Sequence, residues 1–115
     1  MVVNNDLQAQ PIDENYKVIG GSYRSISSGH GTVTTAGTAV QIKNTGTQAK
    51  VIDILNTNTT SGDIIIIGDS TVKYSTGNGI FLQAGFTYRL QVTDLSLIWV
   101  DSQNNGDTFS YNYFY

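Results

Sequence analysis

Lys50–Tyr115, KVIDILNTNTTSGDIIIIGDSTVKYSTGNGIFLQAGFTYRLQVTDLSLIWVDSQNNGDTFSYNYFY, reads as one short strand after another, each closed by a Gly, Asn or Asp turn. β-branched and aromatic residues fill the runs, and no window carries the apolar period of a helix. The predicted strands are Lys50–Leu55, Ile64–Ile67, Thr71–Tyr74, Gly79–Leu82, Thr87–Val92, Ser96–Val100 and Phe109–Phe114. Working outward toward the N-terminus, Thr38–Ile42 and Thr32–Thr35 are short β-branched runs separated by Ala36-Gly37. Ser28-Gly29-His30-Gly31 is a loop by composition, and Tyr23–Ser27 and Tyr16–Ile19 are further strand candidates. Strands recurring about every ten residues with turn signals between them mark a sandwich or barrel.

The faces of several strands follow from the two-residue period. Phe86, Tyr88, Leu90 and Val92 share one face, with Thr87, Arg89 and Gln91 opposite, the alternation of a half-buried strand. Ile64–Ile67 is apolar on both faces. So is Leu95–Asp101, with Leu95, Leu97 and Trp99 on one side and Ile98 and Val100 on the other. These two strands are expected to be covered on both sides. The last strand sets Phe109, Tyr111, Tyr113 and Tyr115 on one face. They suit either a core rim with wet hydroxyls or a contact with another subunit.

Residues 1–30 differ in character. MVVNNDLQAQPIDEN holds the one proline, Pro11, and scattered apolar residues Val2, Val3, Leu7 and Ile12. Pro11 and the Asn4-Asn5-Asp6 run disfavour a helix, which leaves an extended arm or a disordered tail. The domain boundary is therefore placed between an N-terminal arm with edge strands, 1–30, and a β-domain, 31–115.

The composition narrows the function. Charged residues make up 13% of the chain, about half the usual share, and Thr, Ser, Asn, Gln and Gly take their place. A net charge of −3 with the basic residues spread singly argues against nucleic acid as a partner. No Cys is present, so there are no disulfides or thiolate metal sites. No apolar run approaches a membrane span, and the N-terminus lacks the basic start and apolar stretch of a signal peptide, so synthesis and folding in a cytoplasm are expected.

Reactive groups are few. The single His30 sits in Ser-Gly-His-Gly, and Ser70 follows Gly68-Asp69 without the strand–turn–helix setting of a nucleophile elbow. Asp101–Asp107 partly matches a calcium loop but has Gln103 at its third position and Asn112 at its twelfth, so Asn105-Gly106 reads as a turn. Gly-Asp recurs at Gly62-Asp63, Gly68-Asp69 and Gly106-Asp107. There Gly supplies the turn and Asp bonds local backbone, although carboxylates meeting at one end of a sandwich are conceivable as a metal site. No catalytic residue, metal or cofactor is expected, and the chain is read as a non-enzyme.

Thr38-Ala39-Val40-Gln41, Gly62–Ser70, Gly79–Gly85, Asp94–Asp101 and Gly106–Tyr111 occur in an order that resembles a group of small tailed-phage virion proteins. The resemblance spans about the last 80 residues and has no counterpart before Thr32. It implies a capsid decoration (cement) protein, head fibre or other appendage, generally a β-sandwich of jelly-roll type and often a trimer. Leu82–Phe86 also resembles the tight turn of cupin jelly rolls, without the cupin metal-binding histidines.

The fold expected is thus all-β, a single antiparallel β-sandwich of jelly-roll type with an extended N-terminal arm. The function expected is a bacteriophage structural protein in the virion, a homotrimer that stabilises the shell. Val2, Val3, Leu7, Pro11 and Ile12 would anchor it to the major capsid protein or another virion protein, and Phe109, Tyr111, Tyr113 and Tyr115 would join its subunits. The alternative is a fibre-tip or appendage module binding carbohydrate or receptor, with Tyr74, Tyr88, Trp99 and Tyr113 as stacking residues.

Overall fold

The computed structural model describes residues 24–115 of the chain. The strand expected at 16–19, the residue Tyr23, and the arm residues Val2, Val3, Leu7, Pro11 and Ile12 lie outside the described residues. The described residues form eight strands: β1 (Ile26–Val33), β2 (Val40–Gln41), β3 (Val51–Asn56), β4 (Ile65–Gly68), β5 (Ile80–Leu82), β6 (Thr87–Gln91), β7 (Trp99–Ser102) and β8 (Asp107–Phe114). Two antiparallel four-stranded sheets result, ordered β1-β8-β3-β6 and β2-β7-β4-β5. The pairings β1–β8, β2–β7, β3–β6 and β4–β5 are those of one long antiparallel ribbon rolled up so that alternate rungs fall in different sheets. That order is compatible with the jelly-roll type expected from the sequence.

Both sheets turn branched side chains toward each other. Val33, Ile52, Ile54, Ile65, Ile67, Leu82, Val100, Phe109 and Tyr111 belong to one buried cluster, with Val40, Tyr88, Leu90 and Val92 packed at its margin. β4 is buried on both faces, as its unbroken isoleucine run requires: Ile66 points away from that cluster and is still 0% exposed. Its cover is the β4–β5 connection, which folds back over the sheet. An added Cβ on Gly79 would lie 2.8 Å from Ile66 Cγ1 and 2.7 Å from Val72 Cγ2, so these three residues are already in close contact. Asp101, registered beside Ile66 on β7, is also 0% exposed. Its Oδ1 accepts the Gly37 N–H at 2.8 Å and its Oδ2 accepts the Tyr74 N–H at 2.8 Å. The buried carboxylate thereby fastens two connections to the outside of one sheet, and those bonds offset its desolvation.

Three local expectations need correction. Thr71–Tyr74 is not a strand. Asp69 Oδ1 accepts from the Thr71 N–H and hydroxyl, a 3₁₀ turn covers Tyr74–Thr76, and the only ladder element there is an isolated Lys73–Asn78 bridge. Leu95–Leu97 is likewise a 3₁₀ turn, capped by the Asp94 carboxylate on the Ser96 N–H, which swings Leu97 out to 59% exposure. Ser28–Gly31 is not a loop but the middle of β1, which crosses the 30/31 boundary as an edge strand.

The glycines of β1 have a packing reason. On its inward face Gly29 is registered opposite Tyr111 and Gly31 opposite Phe109. A Cβ on Gly31 would sit 2.5 Å from Phe109 Cζ, and one on Gly29 would collide with the Tyr111 ring and hydroxyl. The two rings of β8 occupy the volume that β1 side chains would otherwise fill. Backbone hydrogen bonds and neighbouring aromatics hold this strand, so its own sequence carries no apolar alternation. Gly31→Ala is therefore expected to destabilise the fold by about 1–3 kcal/mol through overpacking. Adding Phe109→Leu, which removes the ring carbon in the way, should restore part of that loss relative to the sum of the single changes in a denaturant double-mutant cycle.

Candidate functional site

The outer face of the β1-β8-β3-β6 sheet is polar and internally paired. Asp53 and Arg89 are directly cross-strand and form a bidentate pair, Nε to Oδ1 at 2.7 Å and Nη2 to Oδ2 at 2.8 Å. That guanidinium holds the Asp53 carboxyl below the usual carboxylate range. The same row continues to Asn112, whose Oδ1 accepts the Ser28 hydroxyl at 2.5 Å. His30 lies one row along, exposed opposite Ser110. No hydrogen bond orients its imidazole among the described residues, so the arrangement lacks the ordered base that nucleophilic chemistry needs.

One pole of the sandwich concentrates amides and carboxylates. Asn56, 0% exposed at the end of β3, donates from Nδ2 to the carbonyls of Asp63 and Leu82, both at 2.8 Å. Its Oδ1 accepts from the N–H and side-chain amide of Asn58. Asn58 in turn bonds the Thr108 backbone in both directions. Two of the three Gly-Asp carboxylates do meet here: Asn104 donates from Nδ2 to Asp63 Oδ1 at 2.9 Å, and its N–H reaches Asp107 Oδ2 at 3.3 Å. Burial pushes the Asp107 carboxyl up, the Asn104 N–H opposes this, and the charge of Asp63 adds to the rise. The third, Asp69, bonds its own turn. No group of three His, Cys, Asp or Glu side chains that could hold a metal exists among the described residues. Asn105-Gly106 is the turn expected, with Gly106 at φ 83°.

The aromatic face of β8 points inward. The alternation Phe109, Tyr111, Tyr113, Tyr115 is as the sequence indicates, but β8 lies between β1 and β3, in the interior of its sheet. Phe109 and Tyr111 are 2% and 6% exposed and Tyr113 packs at the core margin. Phe109 and Tyr111 are thus core residues of the chain itself and are not available as a subunit contact; only Tyr115 is exposed. Of the proposed stacking residues, Tyr88 and Tyr113 line the core margin and Trp99 is half-buried. Tyr74 is half-buried and stacks on Phe81 with ring centroids 5.2 Å apart.

Exposed apolar surface collects instead at the β5 edge. Ile80, Phe81 and Phe86 are 49%, 51% and 62% exposed, β5 has no strand on its far side, and Phe86 lies in the turn that leads to β6. The alternation of Thr87–Val92 assigned Phe86 to the buried face, and the turn at Gly85 lifts it out. A usable signal was present in the sequence: Tyr74–Thr87 contains no Asp, Glu, Lys or Arg.

No family model matches this chain, and no curated protein does. Among solved structures it is similar to the crystal structure of Yersinia pseudotuberculosis-derived mitogen, at 14% identity and a TM-score of 0.29 over 78% of this chain and 85% of that one, a likeness too slight to carry an argument.

Two outcomes follow from the polar pole. Asn56→Ala strands two buried carbonyls and should lower stability by about 1–3 kcal/mol in denaturant unfolding. Asp107 has a folded pKa above its unfolded one, so its contribution is full at low pH and is lost as pH rises through the folded value. Asp94 is the opposite case: the N–H groups of Ser96 and Thr47 hold it down, so its contribution is lost as pH falls through that lowered value. Asp107→Asn should therefore gain stability over wild type as pH climbs from the ordinary carboxylate range toward neutrality, and Asp94→Ala should lose less than wild type on acidification. Thermal melts across pH measure both.

Proposed function

We propose that this chain is a structural protein of a bacteriophage virion, a capsid decoration protein that assembles with copies of itself on the shell and adds buried contact surface to it. The carrying observation is the distribution of chemistry over the surface. Polar and charged groups are consumed in internal ties, while large apolar side chains stand half exposed together at the β5 edge. Such an edge suits a contact surface and offers no cleft for a reaction. The ordered pieces shared with small tailed-phage proteins supply the virion context.

In this reading the partners are other copies, as a homotrimer, and the major capsid protein or another virion protein. The segment 1–30 serves as the capsid-anchoring arm through Val2, Val3, Leu7, Pro11 and Ile12. Stabilisation is mass action: a protein that binds the assembled shell better than its parts shifts the equilibrium toward the shell. A second reading, a glycan-binding appendage, is favoured by the Tyr74–Phe81 stack beside Ser75, Thr76 and Asn78. A glycan array without hits would count against it.

Mass spectrometry of purified particles encoding this chain should find it at hundreds of copies, and particles lacking it should disassemble at lower temperature. Its absence from particles would overturn the virion reading, and a handful of copies would move it from the shell to a fibre, tail or vertex.

A further inference from the structure

We propose that the β5 edge, through Ile80, Phe81 and Phe86, is where this chain packs against a second copy of itself. The inference rests on the oligomeric part of the function proposed above and moves the subunit contact away from the β8 aromatics, which the core occupies.

Each of the other sheet edges is managed. β6 carries Arg89 paired to Asp53. β2 is only two residues long, and its Gln41 side chain donates to the Ser96 carbonyl. β1 turns Ser28, His30 and Thr32 to solvent. β5 has none of these devices: it bears no charge, no proline and no polar side chain, and two of its three residues are large, apolar and about half exposed. Edges of that kind are left open by proteins that use them.

Charge argues for a like partner. The chain carries a net −3, so two copies repel through most of their surfaces. The run Tyr74–Thr87 is the stretch where that repulsion is least, since it holds no ionisable Asp, Glu, Lys or Arg. Size also fits. Half-exposed aromatic side chains offer roughly 100 Å² each, so Phe81 and Phe86 with Ile80 make an apolar centre of about 300 Å². Ser75, Thr76, Gln83 and Thr87 provide an uncharged polar surround, the anatomy of a small interface with an apolar middle and a wet rim. With three residues in β5, side-chain packing rather than a long backbone ladder must carry the contact.

Light scattering on the full chain at about 100 μM, above the micromolar range expected for a small interface, provides the test. Wild type and a control on the other sheet, His30→Asp, should show a mass that is a multiple of the monomer. Phe81→Asp and Phe86→Asp, with unchanged circular dichroism, should weaken self-association at least tenfold. Amide hydrogen exchange on wild type guards against variants that fail to fold: protection at residues 80–86 should fall on dilution while that at β3 does not. A monomeric wild type, or exchange at 80–86 that ignores concentration, overturns the proposal. Variants that keep the wild-type mass overturn the location alone and leave assembly standing. Loss of particle binding by Phe81→Asp from a monomeric wild type would show instead that the patch meets the shell. Virion membership is decided separately by the copy number in particles.

Discussion

The side chain of Asn56 is the constraint on which the geometry of the sandwich turns. Hydrophobic burial presses the two sheets together but has no direction, and a face of isoleucines can slide over another at small cost. Asn56 supplies direction. It leaves β3 in one sheet and bonds the Leu82 carbonyl at the end of β5 in the other, while its backbone exchanges hydrogen bonds with Gly85 and Phe86 in the β5–β6 turn. Its remaining capacity goes to Asp63 and Asn58, and Asn58 passes the restraint on to Thr108 in β8. A buried amide with both donors and its acceptor engaged specifies one register in a way that apolar packing cannot.

Asp101 plays the matching part on the outside of the second sheet. Where Asn56 ties sheet to sheet, Asp101 ties the β1–β2 and β4–β5 connections to β7, and with Val72 and Gly79 they seal Ile66 from solvent. The result is a domain whose second sheet is covered at its centre and bare at its β5 edge. Polar residues are spent inside the molecule, which is why a chain with so few charges can still present a surface that is selective in where it is apolar.

Much of this was legible in the sequence wherever a strand buries its own side chains. The isoleucines of β3 and β4, the alternation of β6 and the Asn105-Gly106 turn all announced themselves. β1 did not, because its inward positions are glycines filled by rings from β8, and composition alone makes Ser-Gly-His-Gly a loop. The aromatic face of β8 was identified correctly, but its direction depended on strand order: the last strand in sequence is an interior strand in space. The 3₁₀ turn at Leu95–Leu97 was hidden for a similar reason, since an apolar run of this length fits a strand until the Asp94 cap is known. The candidate site was the least visible part, for an edge is defined by the absence of a neighbour and no residue encodes that by itself.

The glycine-faced strand also bears on how the chain tolerates change. From Gly29 to Gly31 the core asks only that β1 stay thin on one side. On the other side Ser28, His30 and Thr32 stand in solvent, with a single tie, from Ser28 to Asn112, among the described residues. Side chains there answer to nothing beneath them. Over generations such a strand can be rewritten at alternate positions while its partner positions stay frozen, which gives the molecule a writable margin: a face whose chemistry can drift without the fold being renegotiated.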